Sequence, residues 1–222
     1  MDTAYLCIHG FNGGLEEIDY LARYLKDRNL DVCPVALAGH GEGKKRLKES
    51  SPADWFESAE READKLIKEY KHIVFIGFSM GGLIALRCAL NPEYKASGIV
   101  LINTPINHLY NGAPIWRDIF RGKIKYYTDS LFATDIKSNL DFLRVQKEVK
   151  RIAGNINTPA FIAQCTADET SHKNNARTLK KLIGETAALH YYKGGCHRIL
   201  VEDSPVRNTL CQDIYEFLTV RC

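Results

Sequence analysis

A serine that stands clear of the backbone can open an acyl group, provided that a histidine takes its proton and a carboxylate orients that histidine. Residues 76–82, IGFSMGG, offer such a serine. The pattern is G-x-S-x-G, with an apolar β-run (72–76) leading in and a helical pattern (83–90) leading out. In that setting Ser79 occupies a sharp strand-to-helix turn, and Gly77 and Gly81 flank it because side chains there would collide across the turn. The helix begins at Ser79, so its free N–H groups and positive end face any negative charge that develops.

The base and the acid follow from chain order, which for this turn runs Ser, then Asp or Glu, then His. Of seven histidines, only His172, His190 and His197 lie well downstream. His190 falls inside a strand-like run, and His172 precedes a helix. His197 ends the turn Gly194-Gly195-Cys196-His197 after the last strand, where a base should hang. It is the candidate base. Asp168 directly follows the run 159–164 and is the candidate acid, with Glu169 as the alternative. Asp203 comes after His197 and belongs to the start of the last helix. The first turn, His9-Gly10-Phe11-Asn12-Gly13-Gly14, follows the first strand. It predicts an oxyanion hole made of the backbone N–H groups of Phe11 and Met80, with His9 as a buried residue that shapes the loop.

Those residues need a scaffold of strands. Short apolar runs at 4–8, 32–36, 72–76, 98–102, 159–164 and 188–192 are mostly continuous, as in strands buried on both faces. Helical patterns alternate with them. Ile18, Leu21, Ala22 and Leu25 form one stripe. A second helix starts at Ser51-Pro52 and carries Trp55, Ala59, Ala63, Leu66 and Tyr70. A third follows Ser79 and stops at Asn91-Pro92. A fourth covers 174–183 and ends at Gly184. The last starts at Ser204-Pro205 with Leu210, Ile214 and Phe217. This alternation predicts an α/β fold: a mostly parallel central sheet of about six strands with helices on both faces. Residues 106–153 break the rhythm and read as short helices and loops. They predict a small helical insertion, with residues 1–105 and 154–222 as the core. It holds nine Lys/Arg against five Asp/Glu.

Composition narrows the function. At 222 residues and 25.1 kDa the chain suits one compact domain or one with a small insertion. A net charge of +3 is too small for binding nucleic acid or a membrane surface by charge alone. No apolar run approaches a membrane helix, so no membrane insertion is expected, and the opening MDTAYLCIHG predicts no signal peptide. Seven cysteines, an odd number without a CxxC pair, predict reduced thiols and a cytoplasmic address. No Cys/His cluster has zinc spacing, and neither metal nor cofactor is expected. The run Gly39-His40-Gly41-Glu42-Gly43-Lys44-Lys45 lacks the spacing and the Ser/Thr of a phosphate-binding loop. It reads as a loop on the carboxyl edge of the sheet, followed by solvated lysines.

Several stretches together resemble an α/β-hydrolase of the small carboxylesterase and monoacylglycerol-lipase branch. They are LCIHGFNGG (6–14), LAGHGEG (37–43), Asp54-Trp55, FIGFSMGG (75–82), AQCTADE (163–169), GGCHRI (194–199) and QDIYEFL (212–218). The resemblance covers nearly the whole chain outside the insertion. It implies Ser79, Asp168 and His197 as the triad, Phe11 and Met80 as the oxyanion hole, and a helical cap where 106–153 falls. Trp116, Phe120, Tyr126 and Tyr127 of that cap are the candidates for substrate contact. The chain departs from the branch at Cys196, where Ser or Gly is common. There the thiol reads as a small packing residue, with a redox role as the alternative.

The expected activity is a serine carboxylic-ester hydrolase on short- to medium-chain esters or monoacylglycerols. The expected partner is a small-molecule ester, and an apolar cap face is compatible with a homodimer. A thioesterase or an acyltransferase would use the same triad, and a non-catalytic small-ligand receptor is the alternative from another class. An Asp-nucleophile dehalogenase or epoxide hydrolase is disfavoured by Ser79.

Overall fold

The computed structural model describes residues 2–107, 135–201 and 205–222. Six strands form one sheet: β1 (Thr3–Ile8), β2 (Asp31–Val35), β3 (His72–Phe78), β4 (Ala96–Ile102), β5 (Ala160–Cys165) and β6 (Ala187–Tyr192). Their spatial order is β2-β1-β3-β4-β5-β6, and every pairing is parallel. All six runs expected from the sequence are strands, with ends shifted by a residue or two.

Seven α-helices lie among the described residues: α1 (Asp19–Lys26), α2 (Lys44–Glu49), α3 (Pro52–Glu69), α4 (Met80–Ala89), α5 (Ile136–Ile152), α6 (Asn174–Ile183) and α7 (Pro205–Arg221). Side chains alternate across the sheet, which divides the core in two. Leu6, Ile8, Phe75, Ile99, Leu101 and Ile162 face one layer, packed against α3, α4, α5 and α6. Tyr5, Cys7, Val74, Ile76, Val100 and Phe161 face the other, packed against α1 and α7. Hence the continuous apolar runs: central strands have no wet face. The edge strand β6 does, and Ala188, His190 and Tyr191 are exposed.

Local chemistry sets the helix ends. Ser51 and Asp54 form a capping box at the start of α3, with Pro52 in its first turn. Gly184 closes α6 at φ +84°. The short-helix reading of the insertion differs from the structure at its C-terminal end. Residues 136–152 are one 17-residue helix, whose first turn is capped by Asp135 accepting from the Ser138 N–H. Phe142, Val145 and Val149, spaced i, i+3, i+7, are fully buried in the same apolar layer as α3 and α4. Each such burial contributes roughly 1.5–3 kcal/mol. Arg87 on α4 ties the three helices together, 2.7 Å from Glu60 and 3.2 Å from Glu148. No described helix is long and apolar enough to cross a membrane.

Candidate active site

The carboxyl ends of β1, β3, β4, β5 and β6 lie along one edge of the sheet, the edge where ligands bind in open parallel sheets. Each contributes a loop to one cluster.

β3 delivers Ser79 at φ +52° and ψ −121°, a conformation that a non-glycine residue adopts only when its surroundings enforce it. The enforcement is visible. The Ser79 N–H donates to the Ile102 carbonyl at 2.8 Å. A Cβ on Gly77 would lie 2.3 Å from the Gly81 carbonyl carbon, and one on Gly81 would lie 2.2 Å from the Ile8 carbonyl oxygen. Both positions therefore need glycine, so that strand, turn and helix can close this tightly. Met80 opens α4, so its N–H is among the first four amides that have no acceptor inside the helix.

His197 Nε2 is 3.0 Å from Ser79 Oγ. Its Nδ1 is 3.0 and 2.9 Å from the two oxygens of Asp168. The Asp168 carboxylate already accepts the N–H groups of Thr170 (2.8 Å) and Ser171 (2.6 Å) and a hydrogen of Gln164 Nε2 (3.2 Å). With only donors around that carboxylate, the shared proton belongs to His197 Nδ1, and Nε2 is left to accept from the serine hydroxyl. Ser79 and His197 are 6% and 8% exposed, so the relay is shielded but reachable. Glu169, the alternative acid, accepts the backbone N–H of His197 at 3.0 Å instead of meeting its ring.

The first loop is held from two sides. His9 is fully buried, and Leu37 N–H donates to its Nε2 at 3.0 Å while its Nδ1 donates to the Gly10 carbonyl at 2.8 Å. Burial lowers its affinity for a second proton. It thus shapes the loop, in line with the sequence reading. Glu17, which no motif singles out, accepts the Gly10 N–H at 2.9 Å. Burial pushes its carboxyl above the ordinary range, against the pull of that N–H and of His197 and Arg198. The Phe11 ring packs against His40, Trp55 and Phe142, with centroids 5.9, 5.8 and 5.3 Å away. His40, in the glycine-rich loop 39–43, is buried against the half-buried Phe11 and pushed down to about 4, desolvation being the main cause. The lysines that follow this loop are exposed.

His172 and His190, set aside on sequence grounds, stand apart. His172 Nδ1 accepts the Asn174 N–H at the start of α6, and His190 stacks on Phe161 at 4.6 Å. Cys196 is half-buried, and its carbonyl accepts from Asn103 Nδ2 at 3.2 Å. Trp116, Phe120, Tyr126, Tyr127 and Asp203 lie outside the described residues. Among the described residues, no group of three His, Cys, Asp or Glu side chains could hold a metal ion.

Sequence reasoning missed Asn103 and Gln164 as well. Both are buried polar side chains at strand ends, 0% and 1% exposed, in hydrogen-bond contact with the His197 backbone and the Asp168 carboxylate. The signal for Asn103 was an asparagine closing an apolar strand just before Thr104-Pro105; for Gln164 it was one amide in an otherwise apolar strand.

Residues 2–131 match the family described as serine aminopeptidase, S33. A carboxylesterase of Bacillus subtilis (strain 168) is 25% identical, the match covering 98% of this chain and 92% of that protein. A thermostable monoacylglycerol lipase of Bacillus sp. (strain H-257) is 26% identical over 82% of this chain and 76% of its own length. A solved structure reported for the metagenome-derived lipolytic enzymes LipS and LipT has a TM-score of 0.82 at 17% identity. It covers 98% of this chain and 94% of that one, a likeness of fold.

Proposed function

The chain belongs to the serine aminopeptidase S33 family of α/β hydrolases, and from that premise we propose that it is a carboxylic-ester hydrolase acting through Ser79, His197 and Asp168. The reading rests on one observation: Ser79 Oγ, the imidazole and the Asp168 carboxylate form a continuous relay with contacts of 2.9–3.0 Å.

In this mechanism His197 Nε2 takes the hydroxyl proton as Ser79 Oγ attacks the ester carbonyl. Asp168 holds the imidazole and stabilises its charged form. The N–H groups of Phe11 and Met80 receive the oxyanion, Met80 with the help of the α4 N-terminus. The imidazolium returns its proton to the leaving alcohol, which departs and leaves Ser79 acylated. Water, deprotonated by the same imidazole, then releases the acid.

For the substrate we favour short- to medium-chain esters or monoacylglycerols, following the names of the two bacillar relatives. We assign the choice of acyl group to the insertion at 106–153, with Trp116, Phe120, Tyr126 and Tyr127 as contacts. The cysteines, all in the thiol form, support a cytoplasmic setting.

The test is intact-mass spectrometry after exposure to a fluorophosphonate, with hydrolysis of p-nitrophenyl esters of graded chain length alongside. A single adduct and ester turnover, both lost in Ser79→Ala, are expected. A folded wild type that forms no adduct and turns over no ester would overturn the reading in favour of a receptor. An adduct accompanied by much faster thioester cleavage or acyl transfer would move it to those activities.

A further inference from the structure

We infer that Asn103 is the positioning residue of the base–acid pair, tying the His197 loop and the end of β5 to the same strand end that holds Ser79. The inference rests on the proposed triad.

β4 ends at Ile102, and Asn103 follows at φ +49°, a backbone conformation that asparagine tolerates better than most side chains. Its carboxamide is fully buried and fully used. Nδ2 donates to the carbonyls of His197 (2.9 Å) and Cys196 (3.2 Å). Oδ1 accepts the Cys165 N–H (2.8 Å) and a hydrogen of Gln164 Nε2 (3.4 Å). Turning the amide over would set oxygen against two carbonyls and nitrogen against two donors, so the assignment is fixed by the partners.

Two consequences follow. First, the contacts form a ring: Asn103 grips the His197 backbone, the His197 imidazole meets Asp168, and Gln164 Nε2 bridges Asp168 and Asn103 Oδ1 while sharing its two hydrogens with the Cys165 and Ser171 carbonyls. Second, the neighbouring Ile102 carbonyl accepts the Ser79 N–H at 2.8 Å. One two-residue strand end therefore fixes the nucleophile's turn and the base's loop, which are 118 residues apart in sequence. The ring and Ser79 share that reference point, which restrains their separation. The Asn103 side chain bonds to backbone groups and to Gln164 rather than to the imidazole or Ser79, so it acts through the residues it holds. A displacement of about 1 Å at such a site costs about 100-fold in rate.

The test is Asn103→Gly, which accepts the positive φ and removes the carboxamide, made in wild type and in His197→Ala. In wild type we expect kcat for a p-nitrophenyl ester to fall about 100-fold with KM nearly unchanged. In His197→Ala, whose residual turnover no longer uses the imidazole, no further loss is expected. Wild-type kcat in a folded Asn103→Gly would overturn the inference. So would an equal fractional loss in both backgrounds, which would mean a general structural role. If Asn103→Gly does not fold, Asn103→Ala takes its place: it removes the same carboxamide without adding charge and is read the same way. A second readout does not require turnover. The downfield proton resonance of the His197–Asp168 contact should be present in wild type and absent in Asp168→Asn. It should be lost or broadened in the Asn103 variant, and an unchanged resonance there overturns the inference. If wild type itself neither turns over ester nor reacts with the fluorophosphonate, the ester-hydrolase reading fails, and this resonance still decides whether Asn103 positions the pair.

Discussion

The backbone N–H of His197 donates to the Glu169 carboxylate at 3.0 Å, while the ring of the same residue faces Asp168. Adjacent acids thus hold one histidine at two different points, and only one of them can stabilise an imidazolium. Asp168→Asn is expected to lower kcat by about 10⁴-fold, because the amide favours the wrong tautomer. Glu169→Gln keeps an acceptor for the N–H. It should retain most of the activity and lose about 1–2 kcal/mol of stability. Steady-state kinetics of the two variants side by side decides the matter, and the reverse ranking would make Glu169 the acid.

Glu17 supports the first loop from beneath. Its carboxyl is pushed up by burial, so the folded protein holds that proton more tightly than the unfolded chain does. Stability from this group is therefore fully present below the ordinary carboxylate range and lost as pH rises through the folded value. Glu17→Gln keeps an oxygen for the Gly10 N–H and removes the buried charge. Its Tm should exceed that of wild type at pH 8, with the gain shrinking toward pH 4. A Tm difference that stays constant with pH would show that Glu17 is not the titrating group.

Much of this was legible because it depends on short-range pattern. The apolar runs located all six strands, and G-x-S-x-G with its flanking elements located the turn at Ser79. The chain order picked out Asp168 and His197, which the fold then brings together. Other features were hidden because they depend on distant partners. Asn103, Gln164 and Glu17 are single polar residues whose meaning lies in partners 7 to 94 residues away. The helix at 136–152 was legible in part: Phe142, Val145 and Val149 keep a helical period. The aromatic residues before it drew the whole stretch into one irregular reading.

Gly81 makes the tightest of these local claims testable. A methyl there would meet the Ile8 and His9 carbonyl oxygens at 2.2 and 2.5 Å, and both belong to the backbone. Neither can yield without parting β1 from α4. Gly81→Ala should cost more than about 3 kcal/mol in urea unfolding, or prevent folding. Gly43 is the control: it sits at φ +90° with nothing within 4 Å of a Cβ. Gly43→Ala carries only backbone strain and should cost about 1 kcal/mol. Equal costs would mean that β1 and α4 yield to the methyl easily, so that the close approach does not require glycine at position 81.

His40 predicts how the fold responds to acid. Its Nδ1 donates to the Ala38 carbonyl at 3.0 Å, and among the described residues its buried Nε2 has no hydrogen-bond partner. The ring lies against Trp55 and Phe11, with centroids at 5.2 and 5.9 Å, and desolvation pushes it from 6.5 down to about 4. Between those two values the unfolded chain binds a proton that the folded protein refuses. Stability is therefore present above pH 6.5 and lost as pH falls toward 4, by about 3 kcal/mol from this residue. His9, lowered by burial in the same way, adds to the same limb. His40→Gln should be less stable than wild type at pH 8, because the ring packing is gone. It should then lose markedly less between pH 7 and pH 4.5 in urea unfolding. An unchanged acid limb would shift the titration to His9, and a single-pH measurement could not tell the two apart.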